Sequence, residues 1–432
     1  MDSCVDLKLF SLPAKQGRWL LIPVGIIVLL CLGSVYSWSI FRKPLETQLN
    51  ITATESLLPY TIGLLSYSIL MPIAGFFITR IGTRVITAIG GLIVGAGYIL
   101  ASFAPNITLM TLSYGVIAGA GVGIAYGVPM AVVAKWFPDK KGLAVGLTII
   151  GFGLSPLISA PLANQLIISY GVNSTLRILG ITFIIIISTM AIPKGSASQH
   201  ALKLPPSHWN LSFSSTSVNN ASVMVNYTPM LKTPSFYGLW FCYAIGALVG
   251  LSAIGISSPV GEEIIQIDSN FAARSVSLFA LFNGISRPLF GWLTDRFSPR
   301  QVAIAQRHFV IASFTIIIIA CTLMISAQAG DIATYLIAFC LFWFCLGGWL
   351  AMAPTMTLRF FNPDNYAQNY GIVFTAYGIG ALIGTVFVGQ MRDLFGSYTY
   401  GFYIMGLLGI IGIFIAQFTL KSPHSSKDYR EL

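Results

Sequence analysis

Gly291-Trp-Leu-Thr-Asp-Arg296-Phe-Ser-Pro-Arg300 has a partner upstream, Gly75-Phe-Phe-Ile-Thr-Arg80-Ile-Gly-Thr-Arg84. The glycine and both arginines recur at an offset of 216, half of the 432-residue chain. A looser echo joins Lys135-Trp-Phe-Pro-Asp139 to Arg359-Phe-Phe-Asn-Pro-Asp364. Each copy follows a long uncharged stretch, so the repeating unit is a set of membrane-sized segments. Because both members of each pair fall after even-numbered stretches, the two sets have the same orientation, related by an axis along the membrane normal.

Working outward from these loops gives twelve uncharged stretches of about the 20 residues that a bilayer core requires. They cover 19–41, 57–79, 85–104, 107–134, 142–169 and 174–193, then 236–261, 271–294, 308–327, 332–357, 370–392 and 398–420. Composition agrees: 55% of residues are hydrophobic, 9% are charged, and mean hydropathy is +0.79. Soluble domains carry about 25% charged residues, so a disordered chain, a coiled coil and an ordinary cytosolic enzyme are excluded. The first stretch follows a polar, basic leader without a small-residue cleavage site and reads as a retained helix. No period-2 alternation of the outer-membrane barrel type is present. The expectation is an all-α membrane protein of twelve transmembrane helices in two like-oriented six-helix halves. The halves are 1–193 and 236–432, and 194–235, rich in Ser, Asn and Pro, reads as a flexible cytoplasmic linker.

With the N-terminus inside, the cytoplasmic loops hold 18 Lys and Arg and the outer loops hold 5, namely Arg42, Lys43, Arg177, Arg274 and Arg392. This asymmetry places both termini and the linker in the cytoplasm of a cell-membrane protein. It also explains the net charge of +10 without nucleic acid. The six cysteines lack C-x-x-C spacing and there are four histidines, so neither a disulfide framework, a metal site nor a cofactor is expected. A monomer is expected.

The remaining basic residue, Arg287, belongs to neither side. It lies eight residues before Asp295, about 12 Å into the membrane at 1.5 Å per residue. An arginine at that depth costs about 2.5–3.5 kcal/mol and usually accompanies a function, although it can instead bond the carbonyls of neighbouring helices. Asn283 and Gly284 lie one turn away, and Pro288 leaves the Gly284 carbonyl without its helical partner. A planar guanidinium fork matches a carboxylate, so the ligand expected is a small organic anion. None of the 14 acidic residues falls in the middle of a stretch, which disfavours a carboxylate proton relay. Gly115, Gly119 and Gly123, and Gly142 with Gly146, form small-residue stripes that read as packing surfaces.

The loop residues Gly291, Asp295, Arg296 and Arg300 resemble the cytoplasmic motif of the major facilitator superfamily, and Gly75, Arg80 and Arg84 match it except that Thr79 replaces the acid. The resemblance implies the major facilitator fold and a latch that acts during the transport cycle. Three segments are also similar to the oxalate/formate antiporter family of small-carboxylate carriers: Tyr36-Ser-Trp38-Ser-Ile-Phe41, the run from Lys135 to Gly153, and that from Asn369 to Gly384. That family carries an Arg in span 8, matched by Arg287, and a Lys in span 11, where this chain has Tyr377. One fixed cation suits one carboxylate, so a monocarboxylate is expected rather than oxalate. The family's cavity-lining spans further point to Tyr36, Tyr126, Trp343 and Phe374, with Asn283 beside the Arg. The function expected is secondary transport of small organic anions by alternating access, not catalysis. The alternatives are a multidrug or sugar carrier on the same scaffold, or a non-transporting carboxylate receptor.

Overall fold

Backbone amides in hydrocarbon find no water, so long apolar runs satisfy them internally as helices. The computed structural model describes residues 8–10, 12–191, 230–296, 299–361 and 366–420; the side chains at 8, 76, 79, 80, 141, 142, 291–296, 299–305, 358, 359 and 366–368 lie outside that description. Most of the expected linker, 194–229, therefore lies outside it too. A two-residue antiparallel pair, β1 (Lys8–Leu9) with β2 (Leu12–Pro13), precedes the helices.

The helices follow in order: α1 Ala14–Leu49, α2 Ala53–Ile81, α3 Thr83–Ala101 and α4 Ile107–Trp136. Lys141–Ala191 is one continuous rod except at Gly171, whose φ of +77° turns the chain and divides it into α5 (141–170) and α6 (172–191). That left-handed backbone suits glycine, and it replaces the loop expected there with a single residue. The second half comprises α7 Pro234–Ile265, α8 Ser269–Arg296, α9 Pro299–Ser326, α10 Ile332–Phe360, α11 Tyr366–Phe395 and α12 Thr399–Thr419. Side chains on the outside are large and apolar, among them Ile185 (57% exposed), Phe414 (59%) and Phe418 (69%), as a lipid-facing belt requires.

The helix packing repeats with a shift of six. α2 packs on α4 as α8 packs on α10, α1 on α5 as α7 on α11, and α3 on α6 as α9 on α12. The expected small-residue stripe makes one of these contacts: a Cβ at Gly115, Gly119 or Gly123 would run into α2 at Ile62, Gly63 or Tyr67. Across the seam α2 meets α11 and α5 meets α8. Successive antiparallel helices place the start of α1 and the end of α12 on one face, called here the terminal face. On that face Arg18 grips Asp139 with both guanidinium arms, the longer at 2.8 Å, and also bonds the Trp136 carbonyl. The Arg18 bond holds the Asp139 carboxyl below its ordinary value of 3.8.

One placement differs from expectation. Arg42, assigned above to a polar loop, is 0% exposed within α1, close to the opposite face. A basic side chain directly after an apolar run can stay buried among polar neighbours, and counting charges does not separate that from solvent exposure.

Candidate functional site

Arg287 is 1% exposed on α8, at the seam between the halves. Its Nη1 donates to the Ile149 carbonyl of α5 at 2.9 Å, and Nη2 donates to Asn283 Oδ1, one turn back, at 2.9 Å. The guanidinium therefore bridges the two halves. Its carbon lies 5.7 Å from the Phe152 ring centroid, within cation–π range. Nε is buried and makes no hydrogen bond, and no carboxylate pairs with Arg287 among the described residues.

Asn283 sets the direction of this charge. Its Nδ2 donates to the Trp343 carbonyl of α10 at 2.8 Å, which fixes Oδ1 toward Arg287. Trp343 is held in turn by its Nε1, which donates to Ser257 Oγ of α7 at 3.1 Å. Gly153 on α5 makes room for the assembly: a Cβ there would lie 2.7 Å from Asn283 Oδ1 and 3.0 Å from Arg287 Nε. The crossing of α5 and α8 thus depends on a residue without a side chain at that point.

Aromatic rings from both halves cover the charge. α1 tightens to a 3₁₀ turn over Gly33–Ser37, which redirects Tyr36 in mid-helix. The Tyr36 hydroxyl meets that of Tyr377 on α11 at 2.8 Å, a second link across the seam. Tyr36 stands edge-on to Phe152 at 5.1 Å and to Trp343 at 6.3 Å. Phe374 stacks on Tyr377 at 5.0 Å, and Tyr126 packs edge-on against Phe152 at 5.1 Å. The Tyr36 and Tyr126 hydroxyls lie within electrostatic reach of the guanidinium. The structure therefore gathers Arg287, Asn283, Tyr36, Tyr126, Trp343, Phe374 and Tyr377 into one buried cluster. Trp38, at similar depth, packs elsewhere: its Nε1 bonds the Ser56 carbonyl and its ring lies on Phe41 and Tyr114.

Sequence reading missed four members. Tyr67 of α2 sits among Tyr126, Phe374 and Tyr377, with centroids 5.0–5.7 Å apart. Tyr243 of α7 lies 6.4 Å from both Phe374 and Tyr377. Phe152 adjoins Gly153 at the end of the Lys135–Gly153 segment, and the similarity of that segment to known carriers was the one signal that could have found it. The Ile149 carbonyl, a backbone group, leaves no signal in a sequence. Of the loop-motif residues, Gly75 is exposed near the end of α2 and Arg84 opens α3. Arg80 lies on α2, Gly291, Asp295 and Arg296 on α8, and Arg300 on α9, with their side chains outside the description.

The model of the Major Facilitator Superfamily matches residues 24–306 and again 266–431. The chain is 26% identical to the oxalate:formate antiporter of Oxalobacter formigenes, over 94% of this chain and 92% of that protein. It is 22% identical to monocarboxylate transporter 12 of Mus musculus, over 99% and 92% respectively. Among solved structures, a bacterial homologue of the human lysosomal transporter Spinster, in an inward-facing and occupied conformation, superposes with a TM-score of 0.67. That pair shares 16% identity over 94% of this chain and 98% of the other. With the twelve-helix repeat already established, the matches assign this multi-pass membrane chain to the major facilitator superfamily of transporters.

Proposed function

We propose that this transporter moves small organic anions, monocarboxylates foremost, with Arg287 as the counter-charge that receives the carboxylate. The observation that carries the reading is a buried guanidinium at the seam with its Nε unbonded and no carboxylate beside it among the described residues. A substrate carboxylate offers that cation a neutralising, two-point partner, and alternating access needs the ligand held between the halves. The Ile149 carbonyl and Asn283 then act as acceptors that a carboxylate displaces or joins, while Tyr36, Tyr126, Trp343, Phe374 and Tyr377 shape the pocket. Relatives named for oxalate and formate and for monocarboxylates support the anion class. Tyr377 in place of a second cation favours one carboxylate over two.

The same reading assigns 1–193 and 236–432 as the moving halves, 194–235 as a cytoplasmic linker, and the terminal face to the cytoplasmic side of the cell membrane, following the 18-to-5 basic asymmetry. Uptake of labelled lactate, formate, glycolate and oxalate into proteoliposomes tests the substrate class. Saturable uptake of the monocarboxylates, with oxalate the weaker competitor, is expected. Uptake of none of these anions would remove the assignment.

A further inference from the structure

We propose that Arg42 is a functional arginine of this transporter: the pin of a gate that closes the face opposite the termini. The inference rests on the transporter assignment and not on the anion assigned to Arg287.

Arg42 divides its hydrogen bonds between the halves. Its own half supplies Ser56 Oγ at 2.9 Å, the Ala53 carbonyl at 2.9 Å and Glu46 at 3.2 Å. The other half supplies the Gly255 carbonyl of α7 at 3.2 Å and the Tyr398 hydroxyl, in the turn before α12, at 2.9 Å. The side chain is 0% exposed, so these are desolvated, charge-assisted bonds. The two groups of acceptors belong to bodies that separate at this face whenever it opens. The N-terminal acceptors travel with Arg42, and the Gly255 and Tyr398 bonds must break.

Neighbouring charges cross the seam in the same layer. Lys43 of α1 pairs with Glu263 at the end of α7, and Glu263 also pairs with Arg392 of α11 at 3.0 Å. Asp393 of α11 accepts from the Ala53 and Thr54 amides, both at 2.9 Å, and so caps the N-terminus of α2 from the opposite half. Directly beneath, Tyr60 donates to the Leu251 carbonyl at 3.2 Å and the Thr61 and Thr385 hydroxyls bond each other. Closure at this face is thus polar and layered, with Arg42 holding four different segments at its centre.

The test uses the rate at which a membrane-impermeant maleimide reaches Thr61→Cys, a buried position below the pin, in purified full-length protein. Adding Arg42→Gln removes both charge-assisted bonds to the other half and is expected to raise that rate about tenfold or more. Native Cys345, buried within the second half, reports general loosening and is expected to stay unlabelled. An unchanged Thr61→Cys rate overturns the proposal, and so does a parallel rise at Cys345, which would make Arg42 a fold-holding residue only. Should Arg42→Gln not yield monodisperse protein, the same two rates are read in Tyr398→Phe, which deletes one acceptor and keeps the ring. Faster Thr61→Cys labelling with silent Cys345 supports the gate there, and no change rejects it.

Discussion

Arg287 occupies its buried site at a cost that its neighbours reduce. Insertion of an arginine at mid-membrane depth costs about 2.5–3.5 kcal/mol, and its bonds to Asn283 and the Ile149 carbonyl offset part of it. Both acceptors are neutral, and under the proposed function a substrate carboxylate balances the charge. Removing one partner of such a pair typically costs 2–5 kcal/mol, or about 30-fold to several thousand-fold in affinity. Arg287→Gln is therefore expected to abolish carboxylate binding in a protein that remains monodisperse, whereas Arg287→Lys keeps the charge, loses the fork and binds weakly. Binding of a labelled monocarboxylate to each purified variant checks this; wild-type affinity in Arg287→Gln would reduce the residue to a helix-to-carbonyl tie. Tyr377 sets the second expectation. Its hydroxyl faces Tyr36 across the seam at 2.8 Å, so Tyr377→Lys adds a cation within the cluster. Competition assays are expected to show preference moving from monocarboxylates toward oxalate.

At the scale of elements, the helices are set by their apolar runs and the contacts between them by glycine. Gly153 admits the Arg287–Asn283 pair, and Gly171 breaks a 51-residue rod into two spans with one left-handed residue. The start of α1 is held by the Arg18–Asp139 pair, and here pH enters. Because the folded carboxyl sits below 3.8, its pairing contributes fully above the unfolded value and is lost only as pH falls through the lower folded one. The docking of the N-terminal segment is therefore insensitive to pH between about 8 and 5 and weakens below about 4. Asp139→Asn removes the pairing at any pH, so trypsin is expected to cut after Arg18 faster in that variant than in wild type at pH 8. Equal rates would show that the segment is held without the ion pair, by contacts such as the Arg18 bond to the Trp136 carbonyl.

For the whole molecule, repetition of one packing pattern in both halves means that two similar bodies meet along α2–α11 and α5–α8. The bridges at Arg287, Tyr36–Tyr377 and Arg42 all cross that seam, so transport that rocks the halves must remake each of them. Orientation in the membrane is a property of the whole chain, because the charges that set it are spread over many loops. A cysteine at Ser214 is expected to resist an impermeant reagent added outside intact cells, while one at exposed Gln328, between α9 and α10, is labelled. The reverse pattern would invert the proposed topology.

Local chemistry made the twelve spans and their repetition legible in the sequence, because hydropathy, charge and spacing are properties of neighbours in the chain. The resemblance to known carriers singled out Tyr36, Tyr126, Trp343, Phe374 and Tyr377, which folding then brought into one cluster. Other features arise only when distant helices touch. Tyr67 and Tyr243 were indistinguishable from the many aromatics of a chain that is 13% aromatic. The Ile149 carbonyl is present in every peptide unit and becomes an acceptor for Arg287 only where α5 crosses α8. Arg42, read from its position as a loop charge, became a buried bridge because Gly255 and Tyr398 approach it from more than 200 residues away. Hydropathy reports a residue's preference for water or lipid, and which partner satisfies a buried charge is decided by tertiary packing.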